Sequence, residues 1–215
     1  MKNHQPIPMF DYQKKALFRS FPSLYSTNPN IECSVGLVSL IDVFSTLLVA
    51  RSKEVYIDEI KVDYGMLLIK VEGYKPQDGD YIFGLTNLTA CLSHLICENC
   101  GNKGLIFNCP GTMRPRCDLH GGFPFDNSRR EIDPNLPFSL DHMGLAWSEM
   151  ISDFYLKLVM HTNINDMPEV VINKIEKKSG KFVIDFTGGN EIAHGMLDLL
   201  LAYTSITDDK TGGLI

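Results

Sequence analysis

Four residues of this chain have the types and spacing of a metal site. Cys97 and Cys100 stand three apart with Gly101 after them, and Cys117 and His120 repeat the pattern with Gly121. Sixteen residues separate the two pairs. Thiolate sulfur and imidazole nitrogen suit a tetrahedral zinc ion, and four protein ligands leave no coordination position open for chemistry. The spacing predicts a structural zinc held by Cys97, Cys100, Cys117 and His120. Cys109 offers a second solution, an all-thiolate set with Cys97, Cys100 and Cys117 that leaves His120 an ordinary loop histidine.

Each pair reads as a knuckle, a tight turn in which two ligands three apart converge on one ion. The glycine just after it is expected to take a conformation that a side chain would hinder. Between the knuckles, Leu105-Ile106-Phe107 suits a short strand and Pro110-Gly111 a turn. Residues 97 to about 121 thus resemble the zinc-ribbon group of small metal modules. A helix carrying the second pair is disfavoured by Gly121, Gly122 and Pro124, which follow at once.

No other group of residues has comparable quality. Cys91 and His94 form one more C-x-x-H, but without a partner pair, and Cys91 lies among Leu88, Ala90 and Leu92 as a buried thiol would. Cys33, beside Val35 and Leu37, reads the same way. Glu191 and His194 have the i, i+3 spacing of bundle metal sites, which need a second such pair. Asp141-His142 at a helix start and His161 near its end have ordinary dipole explanations. His120-Gly121-Gly122-Phe123 lacks the nucleophile elbow that an esterase oxyanion loop serves, and Glu59-Ile60-Lys61 lacks the acidic partner of a metal-dependent nuclease.

The elements that must position the knuckles form a mixed α+β pattern. Residues 1–30 interleave Pro6, Pro8, Pro22 and Pro29 with Phe10, Tyr12, Phe18, Phe21 and Tyr25, which predicts an extended aromatic arm. Leu37, Leu40, Ile41, Phe44, Leu47 and Leu48 predict a helix from about Ser34 to Arg51. Strands are expected over Glu54–Val62 and Met66–Glu72, joined at Asp63-Tyr64-Gly65, and a third over Tyr81–Leu85. Residues 123–137 read as a linker. Ser139 is expected to cap a long helix whose core face is Leu140, Met143, Trp147, Met150, Ile151, Phe154 and Leu158. A second hairpin turns at Ser179-Gly180, and a last helix capped by Asn190 carries Ile192, Met196, Leu199, Leu200 and Tyr203. The expected architecture is an antiparallel sheet packed with about three helices. Its body comprises residues 31–96 and 138–206, with a ribbon-and-linker module inserted at 97–137 and a tail at 207–215.

With 215 residues and 44% hydrophobic content the chain has enough material for one good core. Residues 1–13 carry no apolar leader-like stretch and the longest apolar run, Val35–Ala50, is broken by Asp42, so cytoplasmic residence without a membrane partner is expected. In that compartment clustered cysteines favour metal over disulfide. The net charge is −6, yet residues 97–130 hold Lys103, Arg114, Arg116, Arg129 and Arg130 against Glu98, Asp118 and Asp126, a local +2 on an acidic body. The sequence therefore predicts a zinc-stabilised inhibitor or adaptor acting by protein contact, with the aromatic arm available also for a homodimer. The alternative is a nucleic-acid-binding ribbon using those five cations, with or without nuclease activity.

Overall fold

A computed structural model describes residues 5–109, 112–121, 132–134, 136–165 and 167–215, without the side chains of 108 and 109. Among these residues the class is mixed α+β, with five α-helices and three small sheets.

The N-terminal segment is not extended throughout. Helix α1 spans Asp11–Ser20, because the Gln13 side chain accepts a hydrogen bond from the Phe10 N–H at 3.0 Å and Asp11 sits in the positive first turn. The prolines lie outside it, at 6, 8, 22 and 29. Leu17, Leu24 and Tyr25 are buried, Tyr25 Oη is 2.8 Å from Ser45 Oγ, and Leu24 O accepts from Ile57 N–H. Met9, Leu17, Leu24 and Tyr25 anchor the segment in the core. Phe10 and Tyr12 alone among its aromatics stay largely in solvent, stacked with centroids 5.6 Å apart.

Strand β1 (Asn30–Glu32) pairs in parallel with β2 (Tyr56–Asp63), which pairs antiparallel with β3 (Met66–Glu72). Tyr64 and Gly65 turn that hairpin in the left-handed region, at φ +46° and +81°. Ile57, Ile60 and Leu67 point inward and are fully buried. Between β1 and β2 lies α2 (Val38–Arg51), entered through a 3-10 turn at Val35–Leu37.

The segment expected as a strand at Tyr81–Leu85 is instead the middle of α3 (Gly79–Ser93). Tyr81, Ile82, Leu85, Leu88 and Leu92 all bury on one stripe of helical period. Gly79, Gly84 and three threonine or asparagine positions lower its intrinsic helix propensity, and packing overrides that deficit. Gly84 has a tertiary use: a Cβ there would collide with Ile192 O of the last helix, and a Cβ on Gly195 with Tyr81 O. Two backbones approach where side chains are missing. Arg51 fastens the same corner, reaching Asp78 at 3.1 Å and Glu191 at 2.6 Å with its guanidinium 4.7 Å above the Tyr81 ring.

A hairpin follows, β4 (Leu105–Cys109) with β5 (Thr112–Arg116). The greater part of the expected linker, 123–131 and 135, lies outside the described residues. Helix α4 spans Leu145–Ile164 and starts at Gly144, not at Ser139. Ser139 Oγ instead accepts from Asp141 N–H in a local turn. The start is decided from afar: Asp209 Oδ2 accepts from Gly144 N–H, and Asp209 O from Ala146 and Trp147 N–H. The expected core face survives, with Leu140 and Met143 buried ahead of the helix and Trp147 through Leu158 on it.

Strands β6 (Val170–Lys178) and β7 (Lys181–Gly188) form the second expected hairpin, with Ser179 and Gly180 both at positive φ. Phe182 lies edge-on to Trp147. Asn190 Oδ1 accepts from Ile192 N–H and caps α5 (Glu191–Thr204). Helix α5 crosses α3 at the heart of the fold, flanked by α2 and α4, and α3 rests on β3. No described helix is long and apolar enough to cross a membrane.

One buried titratable group inside this core makes stability depend on pH. His161 on α4 is 2% exposed, meets the Phe83 ring edge-on, and its Nδ1 accepts from the Asn165 amide at 2.6 Å. A second proton would have to sit on Nδ1 facing that donor. Burial first, and the Lys157 charge second, hold its pKa below the ordinary histidine value. The unfolded chain therefore takes up the proton first. Stability should be complete above about pH 6.5 and fall below it, by at most about 1.4 kcal/mol per pH unit for this one site. Urea unfolding of wild type and His161→Gln between pH 7.5 and 5 checks this: the variant should lose that part of the slope.

Candidate metal centre

The first knuckle follows the end of α3. Cys97 N–H donates to Asn102 O at 2.7 Å, and Cys97 O accepts from Cys100 and Gly101 N–H. Gly101 sits at φ +81°, the conformation expected of a knuckle glycine. The second knuckle repeats the bonds, Cys117 O accepting from His120 and Gly121 N–H at 3.0 and 2.7 Å. Its glycine has another reason: a Cβ on Gly121 would run into the Phe107 ring, which is buried beneath it.

The hairpin brings the knuckles together. Leu105 pairs with Arg116, so Cys117 emerges beside the strand that leaves the first knuckle, whereas Cys109 pairs with Thr112 at the opposite end. Four residues of strand rise put the Cys109 backbone about 13 Å further along. The Cys109 side chain lies outside the described residues, and the four that do converge are Cys97, Cys100, Cys117 and His120.

Their ligand atoms all lie within 4.8 Å of one another. Cys100 Sγ is 3.6 Å from Cys117 Sγ, and His120 Nδ1 is 3.6 Å from Cys97 Sγ and 3.3 Å from Cys117 Sγ. A tetrahedron with metal–sulfur bonds of ~2.3 Å and a metal–nitrogen bond of ~2.0–2.1 Å has S···S edges of about 3.8 Å and S···N edges of about 3.6 Å. The donor set fits an ion of that size. Cys97 is buried, Cys117 and His120 are half-buried, and Cys100 is exposed. Cys100 is pushed up to about 12, by burial first and then by the Cys97 charge. Burial also raises Cys117, but hydrogen bonds from Cys100 and from the His120 and Leu119 N–H groups outweigh it and hold the thiol below its ordinary value. A metal entering this set takes its sulfurs as thiolates and releases the protons they carry.

A carboxylate inside the first knuckle docks it. Glu98 is 0% exposed; its Oε1 meets Arg116 Nη2 at 2.6 Å, and its Oε2 meets Arg114 Nη1 at 3.1 Å and accepts from Ser34 Oγ at 3.3 Å. Its backbone bonds Gly36 N–H and Pro115 O. Next door, Asn99 Oδ1 accepts from Ile7 N–H, and Lys103 N–H donates to Thr211 O. The knuckle therefore joins the N-terminal segment, the hairpin and residues 207–215. Sequence reading passed over Glu98. Its signal was an acid within C-x-x-C opposite two arginines on the returning strand.

The three described basic residues of the module each meet a carboxylate of the same chain. Arg116 is 1% exposed, Arg114 turns to Glu98, and Lys103 Nζ lies 2.9 Å from Glu149 Oε1. Arg129 and Arg130 lie outside the described residues. Elsewhere, Glu191 is bound to Arg51, His194 lies against the Phe186 ring, His142 is exposed, and Glu59 pairs with Lys61. Cys91 is half-buried rather than buried and, with His94, lines a cleft of about 550 Å³ between α3 and α4. Neither joins a metal-compatible group among the described residues. Cys33 is buried, and desolvation pushes its thiol up to about 12.

No family model, no curated protein and no solved structure matches this chain.

Glu98→Gln removes the carboxylate from two guanidiniums, one of them buried. Urea unfolding should show a loss of about 3 kcal/mol or more. A loss below about 1 kcal/mol would show that Glu98 docks nothing.

Proposed function

We propose that the protein is stabilised by zinc and acts as an inhibitor or adaptor, through stoichiometric contact with a partner protein. The observation that carries the zinc reading is the closed donor set itself. Three soft thiolates and one imidazole select zinc over the hard divalent ions, and a fourth protein ligand fills the position a catalytic zinc keeps open for water. The ion then acts on folding, joining two knuckles that each hold only two ligands. Cytoplasmic residence suits it, because a reducing compartment preserves such thiols.

The contact reading rests on the stacked pair at the start of α1. Phe10 is 45% exposed and Tyr12 67% exposed, while Leu17, Leu24 and Tyr25 behind them are anchored in the core. A rigid aromatic pair on an anchored helix is the kind of surface that carries binding energy at low entropic cost. The nucleic-acid reading draws on Lys103, Arg114, Arg116, Arg129 and Arg130. Three of these, Lys103, Arg114 and Arg116, already pair with two carboxylates of the same chain, Glu149 and Glu98, which reduces what they offer a phosphate, so partner protein is preferred over DNA or RNA.

Two outcomes are expected. Elemental analysis should find about one zinc per chain, retained in Cys91→Ser and lost in Cys97→Ser. Phe10→Ala combined with Tyr12→Ala should weaken capture of the native partner at least tenfold with Tm unchanged, and titration of the wild type should saturate near molar equivalence. A drop in molar mass on making the same double variant would assign the surface to a homodimer instead. Salt-sensitive binding to RNA or DNA would favour the ribbon reading.

A further inference from the structure

The three thiols of the metal centre are not equivalent. Cys97 is fully buried, whereas Cys100 is exposed and Cys117 half-buried, and the two accessible sulfurs are 3.6 Å apart. They belong to different knuckles, yet the knuckles are held adjacent by pairing that does not involve sulfur: Leu105 with Arg116 in the hairpin, and Glu98 with Arg114 and Arg116 beneath it. A disulfide has an S–S bond of about 2.05 Å, so closure needs the sulfurs to approach by about 1.5 Å. We propose that the site is a redox switch in which a peroxide converts Cys100 and Cys117 to a disulfide, which replaces the ion as the clamp between the knuckles.

The chemistry follows from the donor set, and the inference rests on the zinc reading above. Metal coordination keeps both sulfurs as thiolates, the form that reacts with peroxide. One thiolate attacks a peroxide oxygen, the O–O bond breaks, and a sulfenic acid and one hydroxide form. The other thiolate attacks the sulfenic sulfur and expels a second hydroxide, closing the S–S bond. Two sulfurs together lose two electrons, hydrogen peroxide gains them, and two protons convert the hydroxides to water. Zinc, left with Cys97 and His120, dissociates. The buried Cys33 thiol has neither access nor thiolate character to compete.

Because Glu98 and the hairpin bonds persist, the new bridge spans positions that are already neighbours. The knuckles exchange one cross-link for another and do not open. The released groups are Cys97, still buried, and the His120 imidazole, which becomes available at the surface only in the oxidised state.

The test uses the full chain in a Cys33→Ser, Cys91→Ser background. Zinc is counted by elemental analysis before any oxidant is added, which examines the zinc reading alone. Hydrogen peroxide is then titrated, with zinc release followed by a chromogenic chelator, free thiols counted, and the product cleaved after Glu98, Lys103 and Arg116 so that Cys97, Cys100 and Cys117 fall on separate peptides. The expected result is two thiols lost per zinc released, a single bridge from Cys100 to Cys117, and full reversal by a dithiol with added zinc. Cys100→Ser should form no bridge. The proposal is overturned by a bridge that includes Cys97 or Cys109, by sulfinic acid without a bridge, or by zinc kept at peroxide levels that oxidise the thiols. Should the first count find no zinc, the zinc reading fails; bridge mapping on that protein still accepts or rejects the Cys100–Cys117 pairing.

Discussion

A buried carboxylate with two arginines around it is the constraint on which the metal region depends. Glu98 has no access to solvent, and a charge in that position is tolerable only while cations and donors surround it. Arg116 and Arg114 come from β5, Ser34 and Gly36 from the segment entering α2. Satisfying one carboxylate therefore fixes where the hairpin returns and where the N-terminal segment crosses it. The ligands converge because this docking is correct. Cys97 and Cys100 flank Glu98 in sequence, and Cys117 is the residue after Arg116, so the ion pair and the metal set are two readings of one backbone geometry.

Two other polar ties do similar service for the body. Arg51 collects Asp78, Glu191 and the Tyr81 ring, closing the corner where α2, α3 and α5 meet. Asp209 caps α4 and receives Lys177 Nζ at 2.6 Å, which holds β6 against the start of that helix. All three ties join elements far apart in sequence. The apolar core supplies the drive to collapse, and these ties decide which collapsed arrangement is chosen. The close crossing of α3 and α5 at Gly84 and Gly195 belongs with them, since it lets two backbones meet while the Tyr81 hydroxyl donates to Asp198 Oδ2 across the same pair of helices at 2.8 Å.

Local chemistry wrote part of this structure directly into the chain. Ligand type and three-residue spacing identify Cys97, Cys100, Cys117 and His120 without any tertiary knowledge. The hairpins at Tyr64-Gly65 and Ser179-Gly180 follow from residues that accept a left-handed backbone, and the Asn190 cap from a side chain bonding its own helix. The helix at Val38–Arg51 and the core face of α4 were legible because apolar residues recur at helical period over several turns. Each of these signals is carried by residues within about two dozen positions of one another.

What tertiary structure decided lay in contacts across long separations. Helix α3 was hidden by glycines and threonines that look like strand or turn until α5 is there to pack on Gly84. The beginning of α4 was hidden because its cap, Asp209, lies 65 residues away. Helix α1 was masked by the prolines on either side of it. The local positive charge at residues 97–130, which the sequence leaves as an alternative site for phosphate, meets Glu149 and Glu98 at Lys103, Arg114 and Arg116. The chain alone determined which atoms can hold a metal, since ligand chemistry is a property of residue type. Folding decided which of its charges face solvent and which thiols an oxidant can reach, since burial and pairing are properties of neighbours that sequence distance conceals.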